Sequence, residues 1–362
     1  MFLFMASVLV DALICFSGPA ATETWSDSTG DLALADAWRL RKNDALPIFR
    51  SRRMRFVIVG VGALGSYFGG ALAAAGHDVT LVVRNAAHRE AILATGLQMR
   101  LDAGEKLVHP RVIPPDAVAD EAPADLLIIF CKTGATRDVL AASAPLIGPN
   151  TRLVSAQNGL GNAAILAEFV QLDRVIYGTT MAPGNLQGPG IVVSKGSHLT
   201  QIRAATGDAT SQSHAAVLAR ALDDAGVPTI INEDVDTVIW AKVAFNCAMN
   251  SLCALNSLRP GALLDSPELS RLVRATVMET CNVAAAAGIM VDRDEMESRL
   301  QMVQREHRDH VPSMLYDMMA KRPTEIDSIN GAVVAIGASH GVPTPYNETL
   351  LALVHQREAD YL

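Results

Sequence analysis

The sequence predicts an α/β protein in which a doubly wound, mainly parallel sheet is followed by an all-α domain. Three observations support this prediction. Short apolar runs rich in β-branched residues alternate with helix-compatible segments in the first half of the chain. A glycine cluster at 60–65 joins the first of these runs to the first helix. From about residue 233 the strand signals become few, and long helical stretches punctuated by Gly and Pro replace them.

The composition is that of a folded protein large enough for two domains. The chain has 362 residues, of which 50% are hydrophobic and 19% are charged, whereas disordered chains are far more polar and charged. The formal net charge of −8 repels a phosphate backbone over most of the surface. Nucleic acid is therefore not expected as a partner.

The cysteine content predicts a compartment in which thiols stay reduced. The five cysteines are scattered, with no CxxC pair and no histidine at zinc-finger spacing. We therefore expect a cytoplasmic protein that has no structural zinc and no metal in its functional site.

The first 53 residues differ from the rest of the chain because no helical or strand period persists in 22–53. The apolar stretch 1–21 is interrupted by Asp11 and has no preceding Lys or Arg, so it is a poor signal peptide and a poor membrane span. We expect 1–53 to be an extension without function, disordered or derived from a misassigned start codon, with a cleaved or targeting segment as the alternative. The predicted domains then span 54–232 and 233–362.

The predicted elements of the first domain begin with a βαβ unit. Its strands are expected at 55–59 and 78–83, around a helix at 66–75. The alternation continues with strands at 125–131, 151–156, 174–181 and 190–202 and a helix at 135–147. In the second domain, helices are expected at 235–255, 267–288, 293–308, 323–340 and 346–361.

The segment Gly60-Val61-Gly62-Ala63-Leu64-Gly65 has the GxGxxG spacing of a dinucleotide-binding turn. It follows a predicted strand and opens a predicted helix, which is the context that makes this short motif informative. Gly60 allows the tight turn, Gly62 the approach of a pyrophosphate, and Gly65 the close packing of helix on strand. We therefore predict a Rossmann-type domain that binds a dinucleotide through these six residues, rather than a turn that only packs.

The choice of cofactor is predicted by the residue at the end of the second strand. An Asp or Glu there would accept a hydrogen bond from the ribose 2′-hydroxyl of NAD, but this chain has Arg84. A guanidinium suits a 2′-phosphate, so Arg84 favours NADP(H) over NAD(H). A surface arginine unconnected with the cofactor is the alternative.

Two polar residues stand at the carboxyl ends of later strands, where open α/β sheets bind their ligands. Lys132 directly follows the strand at 125–131, and Asn158 closely follows the strand at 151–156. We expect both to lie along the bound cofactor. The alternatives are a lysine that extends into solvent and an asparagine that serves only the turn.

One predicted helix, 235–255, is apolar except for a polar stripe. Lys242, Asn246 and Asn250 are spaced at i, i+4 and i+8 and share one side of the helix. Buried polar groups need partners, and a substrate with a carbonyl and a carboxylate would supply them. Because burial lowers the pKa of a lysine, Lys242 could protonate a developing alkoxide. An amphipathic helix whose stripe faces water remains the alternative.

Residues 54–362 resemble the ketopantoate reductase (2-dehydropantoate 2-reductase) family. The resemblance depends on four stretches, of which the K-x-x-x-N-x-x-x-N and SML-x-D patterns are more specific than GxGxxG. These stretches are GVGALG (60–65), NGLG (158–161), WAKVAFNCAMNSLCAL (240–255) and PSMLYDMMAKRPTEIDSINGAVVAIGASHGVPTP (312–345).

The resemblance implies roles for individual residues of this chain. It makes Lys242 the catalytic proton donor and Glu325 a catalytic group near both cofactor and substrate. For substrate binding it implies Asn158, Asn246, Asn250 and Ser313. Next to the NADP cofactor it implies Arg84, Lys132, Asn158 and Gly184. Ser313 beside Pro312 could otherwise be only a helix cap, and Glu325 only an acid in a first helical turn.

The function that the resemblance implies is NADPH-dependent reduction of 2-dehydropantoate to pantoate, a step towards pantothenate and coenzyme A. His310 and Pro260 stand where some family members have asparagines, so a related reductase of another 2-oxo acid is the main alternative. A non-catalytic NADPH-binding sensor is a second one. The expected partner is a small 2-oxo acid, with no membrane. A homodimer stays open, since 269–287 could pack within its own bundle or against another subunit.

Overall fold

The described part of the protein consists of residues 54–196 and 199–362 of a computed structural model. Residues Arg55–Leu362 form one compact unit. The predicted extension, 1–53, lies outside the described residues. The predicted boundary between 232 and 233 stays a prediction, although the last strand of the large sheet does end just before it, at Ile231.

Strands and helices are numbered in chain order. The strands are β1 (Arg55–Val59), β2 (Asp78–Val82), β3 (Leu97–Leu101), β4 (Gly104–Val108), β5 (Arg111–Ile113), β6 (Leu126–Ile129), β7 (Arg152–Ser155), β8 (Val175–Thr180), β9 (Asn185–Gly188), β10 (Ile191–Ser194), β11 (Thr200–Ala204) and β12 (Thr229–Ile231). The helices are α1 (Ala63–Ala74), α2 (Ala86–Thr95), α3 (Thr136–Ala142), α4 (Asn162–Ala167), α5 (Ala209–Asp224), α6 (Val235–Asn256), α7 (Pro260–Asp265), α8 (Pro267–Ala286), α9 (Arg293–Glu306), α10 (Ser313–Met319), α11 (Asn330–Ser339) and α12 (Pro345–Ala359).

The large sheet has the strand order β12-β11-β8-β7-β6-β1-β2-β5. Every pairing in it is parallel except that of β8 with β11, so the predicted doubly wound α/β class is confirmed. From β1 the chain first builds outward through β2 to β5 and then returns to β6 on the other side of β1. This reversal creates a switch point between β1 and β6, the place where open α/β sheets bind ligands.

A second, four-stranded sheet with the order β4-β3-β10-β9 was not predicted. The single strand predicted at 190–202 is wrong, because β10 joins the small sheet and β11 joins the large one. Between these two strands Gly196 has φ +98°, a conformation that side-chain-bearing residues rarely adopt. The apolar run therefore looks continuous in sequence although the chain turns within it.

The C-terminal part is helical and is built around α6. This helix packs against α8, α10 and α12, and it also contacts β8 of the large sheet. By length and apolar composition α6 could cross a membrane, but 67% of its most apolar stretch is buried inside the protein. It is the core helix of this half, and its contact with β8 brings Lys242, the first residue of its polar stripe, to the sheet.

The helix predicted at 323–340 begins later than the sequence indicates. A short 3₁₀ turn at Ile326–Ser328 comes first, and α11 starts only at Asn330. Ile329 between them has φ −104° and ψ −86°, which is outside the α-helical range. Glu325 consequently lies on a loop before the turn, so its position is not set by a helix face.

Candidate active site

The predicted site residues of the first domain lie at one edge of the large sheet. The glycine cluster follows β1, Arg84 follows β2, Lys132 follows β6, Asn158 follows β7 and Gly184 follows β8. These strands are parallel neighbours, so their carboxyl ends lie along the same edge. The fold therefore brings to one edge residues that are as much as 124 positions apart in the chain, from Gly60 to Gly184.

The three glycines of the cluster have three different surroundings. Gly60 has φ +80°, and a Cβ on it would lie 2.0 Å from the amide nitrogen of Cys131 at the end of β6. A Cβ on Gly65 would lie 2.6 Å from the carbonyl oxygen of Gly60. A Cβ on Gly62 would meet no described atom within 4 Å. Gly60 and Gly65 are thus required by packing at the switch point, while Gly62 borders open space.

The start of α1 is open to a ligand. Gly62 occupies its N-cap position and provides no side-chain hydrogen bond to the first turn, so main-chain N–H groups at this end have no capping acceptor. Gly184, on the loop after β8, lies close by, since a Cβ on it would be 3.1 Å from Ala63 and 3.3 Å from Leu64. A helix N-terminus of this kind can bind the phosphates of a dinucleotide.

Arg84 lies two residues beyond β2 and is exposed. Its guanidinium makes no hydrogen bond or ion pair with any described residue. A cation held at this end of β2 without a protein acceptor is free to bind a phosphate.

The Lys242 amine reaches the same edge of the sheet from α6. Its Nζ donates hydrogen bonds to the carbonyl oxygen of Thr180 at 2.7 Å and to the hydroxyl of Thr179 at 3.3 Å, and both acceptors are at the end of β8. Burial lowers the pKa of Lys242 to about 8, and the negative charge of Glu325 opposes this lowering. The amine can therefore hold or release a proton near neutral pH.

The remaining residues of the α6 stripe do not form a water-facing surface. Asn250 is only 6% exposed, and its Nδ2 lies 3.5 Å from the hydroxyl oxygen of Ser313 at the start of α10. Asn246, one turn closer to Lys242, is half-buried, and its amide has no hydrogen-bond partner among the described residues. The structure thus brings Asn250 and Ser313 together and leaves the Asn246 amide available for a ligand.

Glu325 connects the two halves of the site. Its Oε1 lies 3.5 Å from the amide nitrogen of Thr133 after β6, and the Asn158 side chain favours the charged form of the carboxylate and so lowers its pKa. Burial raises the pKa of Glu325, while the nearby cation of Lys132 opposes the rise. The carboxylate therefore lies at the sheet edge. Its negative charge also acts on the Lys242 amine and favours the protonated form.

Lys132 lies at the predicted edge, but its amine contacts the helical half. Nζ donates to Asp317 of α10 at 2.7 Å and to the carbonyl oxygen of Pro323. Asp317 also binds Arg322, at 2.8 Å. These contacts indicate that Lys132 positions the segment carrying Glu325.

Several residues of the site were missed from the sequence. Thr179 and Thr180 hold the Lys242 amine, Thr133 contacts Glu325, and Asp317 pairs with Lys132. Thr179 and Thr180 stand near the carboxyl end of a predicted strand, where open α/β sheets bind their ligands. Their position in the sequence could therefore have marked them as site residues. Nothing in the local sequence marks Asp317 as the partner of a lysine 185 residues away.

Comparison with known proteins shows similarity over both halves of the chain. The family model described as "Ketopantoate reductase PanE/ApbA" matches residues 56–207, and the model described as "Ketopantoate reductase PanE/ApbA C terminal" matches 234–358. The 2-dehydropantoate 2-reductase of Halobacterium salinarum is 32% identical over 312 residues, which are 85% of this chain and 100% of that protein. The enzyme of the same name from Streptococcus pyogenes serotype M1 is 30% identical over 84% of this chain and 98% of its own length.

Solved structures are similar to the same region. A D-mandelate dehydrogenase in a ternary structure with NADH and anilino(oxo)acetate is 30% identical, with a TM-score of 0.80, over 85% of this chain and 99% of its own. The 2-dehydropantoate 2-reductase of Geobacter metallireducens is 29% identical, with a TM-score of 0.78, over 84% of this chain and 99% of its own. With family models covering both the glycine-rich sheet edge and the helix that carries Lys242, the chain belongs to the ketopantoate reductase family and is an oxidoreductase.

Proposed function

We propose that this protein uses NADPH to reduce the keto group of a small 2-oxo acid, and that its substrate is 2-dehydropantoate. The reaction yields pantoate on the route to pantothenate. The observation that carries the proposal is the position of the Lys242 amine, which lies at the carboxyl end of β8, on the sheet edge that bears the glycine cluster. This position supports a role for Lys242 as the proton donor to a substrate held at the same sheet edge as the cofactor.

The cradle fits a dinucleotide because Gly62 borders open space at the uncapped start of α1. Arg84 would bind the 2′-phosphate of NADPH, Gly184 would contact the cofactor through its main chain, and Lys132 and Asn158 would lie along it. When bound, NADPH supplies the hydride that reduces the keto carbon.

The substrate would be held by three side chains of the helical half. The Asn250 amide and the Ser313 hydroxyl lie within 3.5 Å of each other, and the Asn246 amide is unpaired among the described residues. Asn158 adds a fourth polar group from the sheet. Together these donors suit the two oxygens of a carboxylate and a neighbouring keto oxygen, and they hold the keto group in line for reaction.

Lys242 would protonate the oxygen that gains charge when the keto carbon is reduced. With a pKa of about 8, the amine is mostly protonated at neutral pH and releases its proton readily. A positive group at that oxygen also stabilises the developing alkoxide. The Thr180 carbonyl and the Thr179 hydroxyl orient the amine, and the Glu325 carboxylate favours its charged form.

A second candidate is a dehydrogenase of another 2-hydroxy acid that uses NADH. It is favoured by the similarity to D-mandelate dehydrogenase, whose solved structure contains NADH. His310 and Pro260, at positions where some family members carry asparagines, are also compatible with a different substrate. A sensor that binds NADPH without catalysis would need neither the Lys242 amine nor the Asn250–Ser313 pair.

The proposal is tested by oxidation of NADPH and of NADH with a panel of 2-oxo acids that includes 2-dehydropantoate, phenylglyoxylate and pyruvate. The highest kcat/KM is expected for 2-dehydropantoate with NADPH. A preference for phenylglyoxylate with NADH would favour the second candidate, and no turnover with any pair would favour the sensor.

The exposed Ser313 offers a variant that leaves the core intact. Ser313→Ala should raise the KM for the 2-oxo acid while the KM for NADPH stays the same, because we expect the 2-oxo acid, and not the cofactor, to contact this hydroxyl. An increase in both values would argue against a substrate-binding role.

A cytoplasmic location and a homodimer are further parts of the proposal. Cell fractionation and light scattering of the purified protein test them. A membrane-associated fraction or a monomer at micromolar concentration would contradict them.

A further inference from the structure

The amide of Gln157 is buried between the carboxyl ends of two parallel strands. Gln157 comes two residues after Ser155, the last residue of β7, and is 5% exposed. Its Nε2 donates to the carbonyl oxygen of Cys131, just beyond β6, at 2.5 Å and to the hydroxyl of Thr136 at 3.0 Å. Its Oε1 accepts from the hydroxyl of Ser155 at 2.8 Å. Both hydrogens and the oxygen of the amide are therefore used within the protein.

The two partners of Nε2 stand at the two ends of a short turn, residues 131–136. Thr136 is the first residue of α3, and Lys132 and Thr133 lie within the turn. Cys131 also packs on the glycine cluster, since a Cβ on Gly60 would be 2.0 Å from the Cys131 amide nitrogen. Because one amide binds both ends of the 131–136 turn, it restrains the residues between them.

The chain after Gln157 is joined to the 131–136 turn by a further hydrogen bond. The hydroxyl of Thr133 donates to the carbonyl oxygen of Asn158 at 2.9 Å, and the side chain of Asn162 donates to the same oxygen at 3.2 Å. Asn158 directly follows Gln157 in the sequence. Gln157 therefore holds the 131–136 turn through its side chain and Asn158 through its main chain.

Both of these turns contact the segment that carries Glu325. The amide nitrogen of Thr133 lies 3.5 Å from Oε1 of Glu325. The amide of Leu160 donates to the carbonyl oxygen of Ser328 at 3.1 Å. A Cβ on Gly159 would lie 2.4 Å from that same oxygen, so the two segments approach closely. The turns that the buried amide joins thus form a surface on which the Glu325 segment rests.

The place of the Glu325 carboxylate affects the charge of the site. Burial lowers the pKa of Lys242, and the negative charge of Glu325 opposes this lowering. Burial raises the pKa of Glu325, which the charge of Lys132 opposes and that of Asp317 increases. A Coulomb interaction weakens with distance. A movement of the 131–136 turn would therefore change the protonation of Lys242 through Glu325.

We propose that Gln157 is a positioning residue for the proposed reduction, because its amide keeps the Glu325 carboxylate within electrostatic reach of the Lys242 amine. It acts through the two turns that it joins. Its polar side-chain atoms bond to the protein, so it does so without touching substrate or cofactor. The inference rests on the proposed function, since it assigns a further residue to the same site.

The test is the pH dependence of kcat/KM in Gln157→Leu, measured with the cofactor and 2-oxo acid that the wild-type protein turns over fastest. Leucine is of similar size but makes none of the three hydrogen bonds. The descending limb expected near pH 8 should move to lower pH, because the Glu325 charge then raises the pKa of Lys242 less. The value of kcat/KM should fall by about ten- to hundredfold, since a misplacement of about 1 Å can cost about 10²-fold.

A double variant separates positioning from general damage to the fold. In the Glu325→Gln background the charge that Gln157 positions is already absent, so adding Gln157→Leu should move the limb no further. Residues that act through one another give such non-additive effects, whereas independent ones add. Additive shifts of the limb would overturn the inference.

Thr151→Val is the matched control at the other end of the same strand. Thr151 directly precedes β7 and is 1% exposed. Its hydroxyl donates to the carbonyl oxygen of Ala124 at 2.5 Å and accepts from the amide of Gly148 at 2.9 Å. This buried side chain also joins neighbouring loops, but far from Glu325 along the strand. Its replacement should lower the Tm and leave the limb in place.

The outcomes distinguish the inference from the function on which it rests. If Gln157→Leu does not fold, Thr136→Val removes only one acceptor of Nε2 and should move the limb in the same direction by less. The inference is overturned if the limb stays in place in the folded variant of an active protein, or if Thr151→Val moves it equally. Absence of turnover in the wild-type protein, with every 2-oxo acid and both cofactors, would overturn the proposed function and the inference together.

Discussion

The Nζ atom of Lys242 lies 2.7 Å from the carbonyl oxygen of Thr180, the last residue of β8. This hydrogen bond joins the core helix of the C-terminal half to the edge of the sheet that bears the glycine cluster. The main chain of β8 is paired with β7 on one side and β11 on the other, so the bond sets the place of the amine more firmly than a contact with a loop would. The predictions below follow from this arrangement and from the cradle beside it.

Replacing Lys242 with methionine should abolish most turnover while cofactor binding is retained. Methionine keeps a long apolar stem but has no proton to donate, and general acid catalysis contributes about 10²–10⁴-fold to a rate. We expect kcat to fall by that order and the Kd for NADPH to change little, as measured by steady-state kinetics and fluorescence titration. Lys106→Met, at an exposed position of β4, is the control, and near-normal turnover of Lys242→Met would refute the role.

The activity should decrease as the pH rises through about 8. The pKa of Lys242 is lowered to about 8 by burial, and the amine acts as an acid only while it is protonated, which it is below its pKa. Plots of kcat/KM against pH should therefore show a descending limb near that value.

Glu325→Gln should move this limb to lower pH, because the Glu325 charge raises the pKa of Lys242. Asp327→Asn removes an exposed carboxylate two residues away that pairs with His355 and should leave the limb in place. A limb that stays fixed or moves to higher pH in Glu325→Gln would contradict the proposed effect of this carboxylate on Lys242.

Alanine substitutions of two glycines should separate stability from cofactor binding. Gly60→Ala requires a left-handed backbone and a contact of 2.0 Å with the Cys131 amide, so we expect a clear loss of Tm. The left-handed conformation alone costs about 1–2 kcal/mol. Gly62→Ala meets no described atom and should keep the Tm, yet weaken NADPH by about tenfold, or ~1.4 kcal/mol. Calorimetry and cofactor titration check both, and normal affinity in Gly62→Ala would show that the cofactor does not approach there.

Arg84→Ala should discriminate between the two nicotinamide cofactors. A hydrogen bond to a charged group contributes about 1.5–3 kcal/mol, so the KM for NADPH should rise by about ten- to hundredfold. NADH has no 2′-phosphate and serves as the internal control, with an unchanged KM. An equal rise of the KM for both cofactors would show that Arg84 does not bind the 2′-phosphate.

Local signals were sufficient for much of the large sheet. The run at 55–59 is continuous and β-branched, and the glycine cluster directly after it has a spacing whose geometry is tied to a strand-to-helix turn, so β1 and α1 were predictable. The helix α6 was predictable as well, because its apolar sequence runs for 22 residues, which is too long for a strand. The small sheet was not predictable in this way because β4 is almost wholly exposed and has no apolar alternation.

The site was partly predictable for a related reason. Lys242, Asn246 and Asn250 stand out because polar residues in an apolar helix require partners. Those partners were not visible, since Ser313 is 63 residues from Asn250 and Thr180 is 62 residues from Lys242. Glu325 is a similar case, because the helix expected around it starts only at Asn330.

The amino-acid sequence alone determined the class of fold, the glycine turn and which helix carries the polar groups. Each of these features depends on a pattern of residues that are close together in the sequence. Only the tertiary structure decided that the Lys242 amine meets the end of β8, that Lys132 turns to Asp317, and that the Gln157 amide joins Cys131 to Thr136. Contacts of this kind depend on strand order and on the packing of distant segments, and no local pattern of residues encodes the distance between them.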